Sequence, residues 1–220
     1  MSSQQDIPVP VALNLSPSVF AQLQQTIGAH KAESGGMLGG NRTTGEVTAF
    51  HFDDTALEQS AATYTPNHTL LTRVLKEEWK PNKIDLLGFI HSHPPSYNHP
   101  SPWDRQYAGT ILESMDLPYL LLPIIRTAVD AGAFALFPYV ASRENDGVVI
   151  AKQALVVGGR PVVYEQRDLR PEEADTLPAD LLPWKMVAAL DLAALIIGVG
   201  ITGAHLVREL RQFKHRQEDE

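Results

Sequence analysis

A chain of 220 residues with 44% hydrophobic and 20% charged positions has apolar side chain enough to bury one full core, so one main domain with a short appendage is expected. Its net charge of -8, with basic residues clustered only near Arg208 to Arg216, gives nucleic-acid binding little electrostatic support. The absence of cysteine excludes disulfides, thiol nucleophiles and thiolate-ligated zinc, and the polar start from Met1 to Pro10 has no apolar signal core, which predicts a cytoplasmic protein.

Ser16-Pro17 ahead of Val19, Phe20, Leu23 and Ile27 predicts a capped amphipathic helix. Two strands are expected near Gly35 to Gly40 and Glu46 to Asp53, joined by the polar turn Asn41-Arg42-Thr43-Thr44-Gly45. Between Pro66 and Lys80, Leu70, Leu71, Val74, Leu75 and Trp79 recur at helical spacing and predict a second helix. It leads through a turn at Pro81-Asn82 into an apolar, β-prone run from Lys83 to Ile90. A third helix is expected over Trp103 to Met115, then strands over Tyr119 to Arg126, Gly132 to Tyr139 and Val148 to Val156.

The β-prone run ends in His91-Ser92-His93-Pro94, and Ser101-Pro102-Trp103-Asp104 follows a proline-rich stretch. Residues i and i+2 of a strand point the same way, so both imidazoles can face one metal while Ser92 faces away. Pro94, Pro95, Pro100 and Pro102 forbid both helix interior and ladder pairing, which makes the stretch a loop that folds back. Ser101 is suited to an N-cap with Pro102 at the first helical position, and Asp104 then lies in the first helical turn. Two imidazoles and a carboxylate form a three-ligand set for one catalytic Zn²⁺ per chain, because the fourth tetrahedral position stays open for a water made acidic near neutral pH. The motif therefore predicts hydrolysis. His99 as a fourth protein ligand would close that position, so it reads as a loop or substrate-facing residue. His51, His68 and His205 have no partner at ligand spacing and read as ordinary histidines.

These residues resemble the signature of the JAMM/MPN+ (JAB/Mov34) zinc metalloproteases, isopeptidases with bacterial-type deubiquitinase-like members that cleave ubiquitin and ubiquitin-like conjugates. That pattern is an upstream glutamate, then H-[ST]-H-x7-S-x-x-D, which His91-Ser92-His93, Pro94 to Pro100, Ser101 and Asp104 match without a gap. Glu33, in Glu33-Ser34-Gly35-Gly36-Met37-Leu38-Gly39-Gly40, resembles the glutamate of a family strand of the form E-x-x-G-x-L-x-G; Glu46 and Glu58 stand as alternatives. Without cysteine, the chain departs from zinc nucleoside deaminases, whose metal needs two thiolates.

The resemblance implies an α+β MPN/JAMM fold, a curved mixed β-sheet flanked by helices in cytidine-deaminase-like layers, with the metal at the sheet's edge. It implies that His91, His93 and Asp104 hold Zn²⁺, that Glu33 takes a proton from the metal-activated water and passes it to the leaving amine, and that Ser101 helps to stabilise the oxyanion. Ser101 also has a structural explanation as a helix cap. The implied activity is cleavage at the C-terminal glycine of ubiquitin or a ubiquitin-like modifier. The alternatives are hydrolysis of another amide, such as a sulfur-carrier precursor or peptide, and a non-catalytic MPN scaffold, against which the intact motif speaks. The loop Pro95 to Pro102 and the region Ala56 to Pro66 are expected as substrate walls.

The catalytic domain is expected over residues 10–160, followed by an acidic, proline-containing linker over 161–183 with Glu172, Glu173, Asp175 and Asp180. Within the apolar segment 184–220, Ala194 to Gly203 has the form of a strand followed by GxGxxG, with a helix expected over Ala204 to Lys214. This resembles the opening of a Rossmann-type domain, including those of ubiquitin-activating-type (ThiF-like) enzymes, which makes such an enzyme a candidate partner. Too little chain follows for a βαβ unit. Three readings stand open: a fragment of an activating domain, a membrane-associating helix over 184–206 followed by Arg208, Arg211, Lys214, His215 and Arg216, and a docking helix. Asp191 argues against free insertion, since an aspartate at the centre of a membrane helix costs about 2.5–3.5 kcal/mol.

Overall fold

The computed structural model describes residues 7–59, 64–95, 97–144 and 147–164. The apolar segment 184–220, its GxGxxG motif and His205, and most of the expected linker, lie outside these residues. In chain order come β1 (Ala12–Leu15), α1 (Pro17–Gln25), a tight helical turn over Ile27–Ala29, β2 (Gly35–Asn41) and β3 (Glu46–Phe52). A short pair, β4 (Glu58–Gln59) and β5 (Tyr64–Thr65), precedes α2 (His68–Arg73), which widens into a π-helical segment over Val74–Trp79. Then follow β6 (Asp85–Ser92), α3 (Pro102–Ser114), β7 (Tyr119–Leu121), β8 (Ile124–Arg126) and α4 (Ala128–Ala131). The described chain closes with β9 (Ala135–Phe137), β10 (Tyr139–Glu144), β11 (Gly147–Lys152), β12 (Ala154–Val157) and β13 (Arg160–Val162).

The architecture is α+β, one curled mixed sheet with helices on both faces. Its strands run in the order β11-β10-β7-β6-β2-β3-β1-β12-β13, while β8 pairs with β6 and β9. β6 is parallel to β7 and β8 and antiparallel to β2, which makes it an interior strand. Where β6 crosses β7 the backbones are so close that a Cβ on Gly88 would lie 2.1 Å from the Leu121 carbonyl oxygen. Only glycine fits there.

One face of β2 and β6 carries Met37, Leu86 and Phe89 against Leu71, Val74 and Trp79 of the second helical region and Ile111 and Leu112 of α3. The other carries Leu38, Leu87 and Ile90 against Leu13 and against Val19, Leu23 and Ile27 of the first helical region. Leu86 and Phe89 share a face although three residues apart, because the β2–β6 register shifts between Leu38 and Gly39. A bulge of this kind re-aims all the side chains after it. Here those include His91 and His93.

Each of the later predicted strands is split. Pro123 separates β7 from β8 and Pro138 separates β9 from β10, since neither residue has an amide to give the ladder. The Leu122 amide donates to the Tyr139 carbonyl at 2.8 Å, so the two interruptions meet across the sheet. The strand expected over Val148 to Val156 breaks at Gln153, whose amide donates to the Pro138 carbonyl at 3.0 Å and whose Nε2 donates to the Pro10 carbonyl at 2.6 Å. β13 carries the sheet past residue 160, where the linker was expected to begin.

The predicted hairpin turn holds a buried cation. Arg42 donates through Nη1 to the Tyr119 carbonyl at 2.8 Å and through Nη2 to the Leu86 carbonyl, while its own amide donates to the Asp85 carboxylate at 3.0 Å. Its guanidinium stands 4.8 Å from the centre of the Tyr119 ring. Burial holds its pKa below the ordinary value. The turn is thereby tied to β6 and β7.

At the start of α2, Asn67 caps the helix by accepting from the Leu70 amide at 3.2 Å. The half-buried His68 imidazole, 6.3 Å from the Tyr107 ring, is pushed down by burial from its ordinary 6.5 to about 4. The folded state therefore resists a proton that the unfolded chain accepts. Its contribution to stability is complete above pH 6.5 and is lost as pH falls through about 4. That gap corresponds to at most ~3–4 kcal/mol. His68→Gln should lose correspondingly less stability than wild type between neutral and acidic pH, as read from denaturant midpoints across that range; parallel curves would refute the assignment.

Candidate metal centre

The centre is built where β6 ends. The β6–α3–β7 crossover returns α3 so that its first turn lies over the C-terminal end of β6. His91 is on β6 and His93 follows it, anchored by its amide donating to the Ile125 carbonyl at 3.2 Å. Ser101 caps α3 and Asp104 completes a capping box. The Asp104 amide donates to Ser101 Oγ at 3.2 Å, while the Ser101 amide and hydroxyl donate to Asp104 Oδ2 at 2.6 and 2.7 Å. That box aims the carboxylate at the histidines.

His91 Nε2 lies 3.2 Å from Asp104 Oδ1, His93 Nε2 lies 3.4 Å from Asp104 Oδ2, and the two Nε2 atoms are 2.7 Å apart. Ligands about 2.0–2.1 Å from a tetrahedral ion stand roughly 3.3 Å from each other. Each imidazole stands at about this separation from a different oxygen of the carboxylate, and the imidazoles need to part by only about half an ångström. Among the described residues this is the one group of three such donors close enough to share a metal. It lies at the C-terminal end of β6, a strand with neighbours on both sides.

The protonation states suit ligation. Burial, reinforced by neighbouring His91, pushes His93 below its ordinary pKa against the pull of Asp104. Burial alone would raise Asp104, but the adjoining His91 charge and hydrogen bonds from both imidazoles hold its carboxyl well below the usual range. A neutral imidazole and an ionised carboxylate are the forms that bind a cation.

His99 stands outside the set. The Tyr139 hydroxyl donates its one proton to the Asn98 carbonyl at 3.0 Å, so the 3.0 Å contact with His99 Nδ1 has the imidazole as donor. Tyr97 packs its ring 5.1 Å from that of His93 and walls the centre on the loop side.

Glu33 lies on the stretch that leads into β2, the strand paired with β6. Gly35 pairs with His91 across the β2–β6 ladder, and directly opposed residues share a face. The half-buried Glu33 stands two residues ahead of Gly35, where the ladder with β6 begins. Glu46 opens β3 opposite Asn41, at the far end of the same hairpin. Glu58 lies on β4 and His51 on β3, opposite Met37.

Sequence reasoning missed a group beside these. The Tyr64 ring covers Gly35 so closely that a Cβ there would be 2.5 Å from Tyr64 Cε1. Its hydroxyl donates to Oδ2 of the fully buried Asp53 at 3.0 Å, and the Asn67 amide donates to the same oxygen at 2.7 Å. Nothing in the local pattern marks Tyr64, because its place depends on the pairing of Gly35 with His91.

The sequence profile of prokaryotic homologues of the JAB domain matches residues 17–137. The chain belongs to this JAB-domain family. The matched span runs from the start of α1 to the end of β9 and includes Glu33, Ser101 and the three donors of the metal centre. No curated relative matches the chain. Among solved structures, a solution structure from Desulfitobacterium hafniense is 21% identical, covering 66% of this chain and 91% of its own, with a TM-score of 0.49. One from Salinibacter ruber is 18% identical, covering 69% and 96%, with a TM-score of 0.42. Among the described residues of this JAB-domain protein, no helix is long and apolar enough to cross a membrane.

Proposed function

We propose that this JAB-domain protein is a zinc-dependent isopeptidase or protease that cleaves at the C-terminal glycine of ubiquitin or a ubiquitin-like modifier. The observation that carries the reading is the convergence of His91, His93 and Asp104 without His99, since a catalytic zinc keeps three protein ligands and a structural one takes four. The mixed nitrogen and oxygen donor set suits Zn²⁺. Bound there, Zn²⁺ supplies a Lewis acid for the scissile carbonyl and acidifies a water.

The chain's own groups divide the remaining work. Glu33 takes the proton from the attacking water and delivers it to the leaving amine, serving as base and then acid. Ser101 steadies the Asp104 carboxylate, and its hydroxyl can donate to a developing oxyanion after turning away from Oδ2. A glycine-terminated tail brings no side chain to the reacting carbonyl, which fits a centre walled by the Tyr97 ring beside His93. Such a modifier is also the chemistry an activating (ThiF-like) enzyme acts on, and we take that enzyme as the functional partner.

The test is incubation of the zinc-loaded full chain with a panel of ubiquitin and ubiquitin-like C-terminal fusions beside a chelated control. Cleavage after the terminal glycine, lost on chelation and restored by Zn²⁺, is the expected result. A metal-loaded protein inert toward every fusion but active on short peptides or a sulfur-carrier precursor would replace the substrate class. One inert toward all of them would make the domain a scaffold.

A further inference from the structure

We propose that the Ser92 hydroxyl is a positioning group that clips the backbone carrying Glu33 to the strand carrying the metal ligands; this rests on the hydrolase reading above. Ser92 sits between His91 and His93, so strand alternation turns it to the opposite face of the sheet. It is 1% exposed. Its Oγ accepts from the Ser34 amide at 3.1 Å and donates to the Ser34 carbonyl at 3.4 Å, while its own amide donates to that carbonyl at 2.9 Å.

A regular antiparallel pair returns such a bond from amide to carbonyl. Here the serine hydroxyl takes the Ser34 amide, one residue before β2 begins. The nitrogen involved belongs to the peptide that joins Glu33 to Ser34. Ser34 is fully buried, so an alanine at 92 would leave this amide with neither partner nor water, and the backbone would have to shift to find one. A misplacement of about 1 Å can cost on the order of 10²-fold in rate. The metal donors have anchors of their own, in the Ile125 carbonyl for the His93 amide and in Ser101 for Asp104. Loss of the clip should therefore separate proton transfer from metal binding.

The experiment compares wild type, Ser92→Ala and Ser92→Thr in the zinc-loaded full chain. The readouts are melting, zinc content, amide hydrogen exchange at Ser34 by NMR, and kcat and KM on the ubiquitin-like fusion that wild type cleaves. Ser92→Ala should fold and hold zinc as wild type does, exchange the Ser34 amide at least ~10-fold faster, and lose kcat at least ~10-fold with KM nearly unchanged. Ser92→Thr, which keeps the hydroxyl, should restore both exchange and kcat. Unchanged exchange or unchanged kcat in Ser92→Ala would overturn the proposal, and so would loss of folding or of zinc, which would make the hydroxyl a purely structural element. Wild type inert toward every fusion would instead sink the hydrolase reading, and with it the role assigned to Ser92.

Discussion

Glu33→Gln is expected to retain zinc at the wild-type level while turnover falls by about 10²- to 10⁴-fold, the usual contribution of general acid–base catalysis. The substitution keeps the shape and hydrogen-bonding capacity of the side chain and removes its basicity. Glu33 stands outside the convergent donor set, on the stretch ahead of β2 and away from the β6 strand and α3 turn that carry the donors, so metal content should not follow its charge. Zinc analysis and steady-state kinetics on one variant separate the possibilities. Unchanged turnover would transfer the base to another carboxylate, with Glu58 ahead of Glu46, which opens β3 at the far end of the hairpin. Lost zinc would make Glu33 a ligand or a support for one.

The second large effect is expected at the ligands. His91→Ala should abolish both zinc binding and activity, because the three donors stand within 4.8 Å of one another and removal of one leaves only two. Asp104 carries a second duty as the third residue of the capping box, so Asp104→Ala removes a ligand and the acceptor for two Ser101 donors together. It should cost stability of about 0.5–2 kcal/mol in metal-free protein, the usual range for a lost helix cap, whereas His91→Ala should not. Melting of the chelated proteins reads that difference, and elemental analysis reads the metal. A His91→Ala protein that keeps stoichiometric zinc would show the ligand set to be wrong.

The metal motif was legible because each part of it is local. Period-two alternation turns His91 and His93 the same way, and the Ser101-Pro102 start of a helix brings Asp104 into its first turn, whatever the rest of the chain does. The same holds for α1, where Ser16 caps a helix with Val19 and Leu23 on its buried face, and for the β2–β3 hairpin about its polar turn. Apolar periodicity predicted the second helix, although not its π-helical widening over Val74–Trp79, which brings Trp79 onto Gly39.

What joins distant stretches lay beyond any local pattern. Resemblance alone marks Glu33, and the stretch that carries it runs beside the histidine strand only because Gly35 pairs with His91 across the β2–β6 ladder, whose register shifts between Leu38 and Gly39. Arg42 stands in the polar hairpin turn, and the two carbonyls its guanidinium reaches, on β6 and β7, lie more than forty residues further along the chain. Prolines 123 and 138 broke strands that hydrophobicity alone would continue, and Tyr139 drew His99 into a bond that keeps its Nδ1 from the metal position. Period and capping are properties of a few consecutive residues, so sequence determines them. Register, burial and hydrogen-bond partners are properties of pairs brought together across the sheet, and only the tertiary structure decides them.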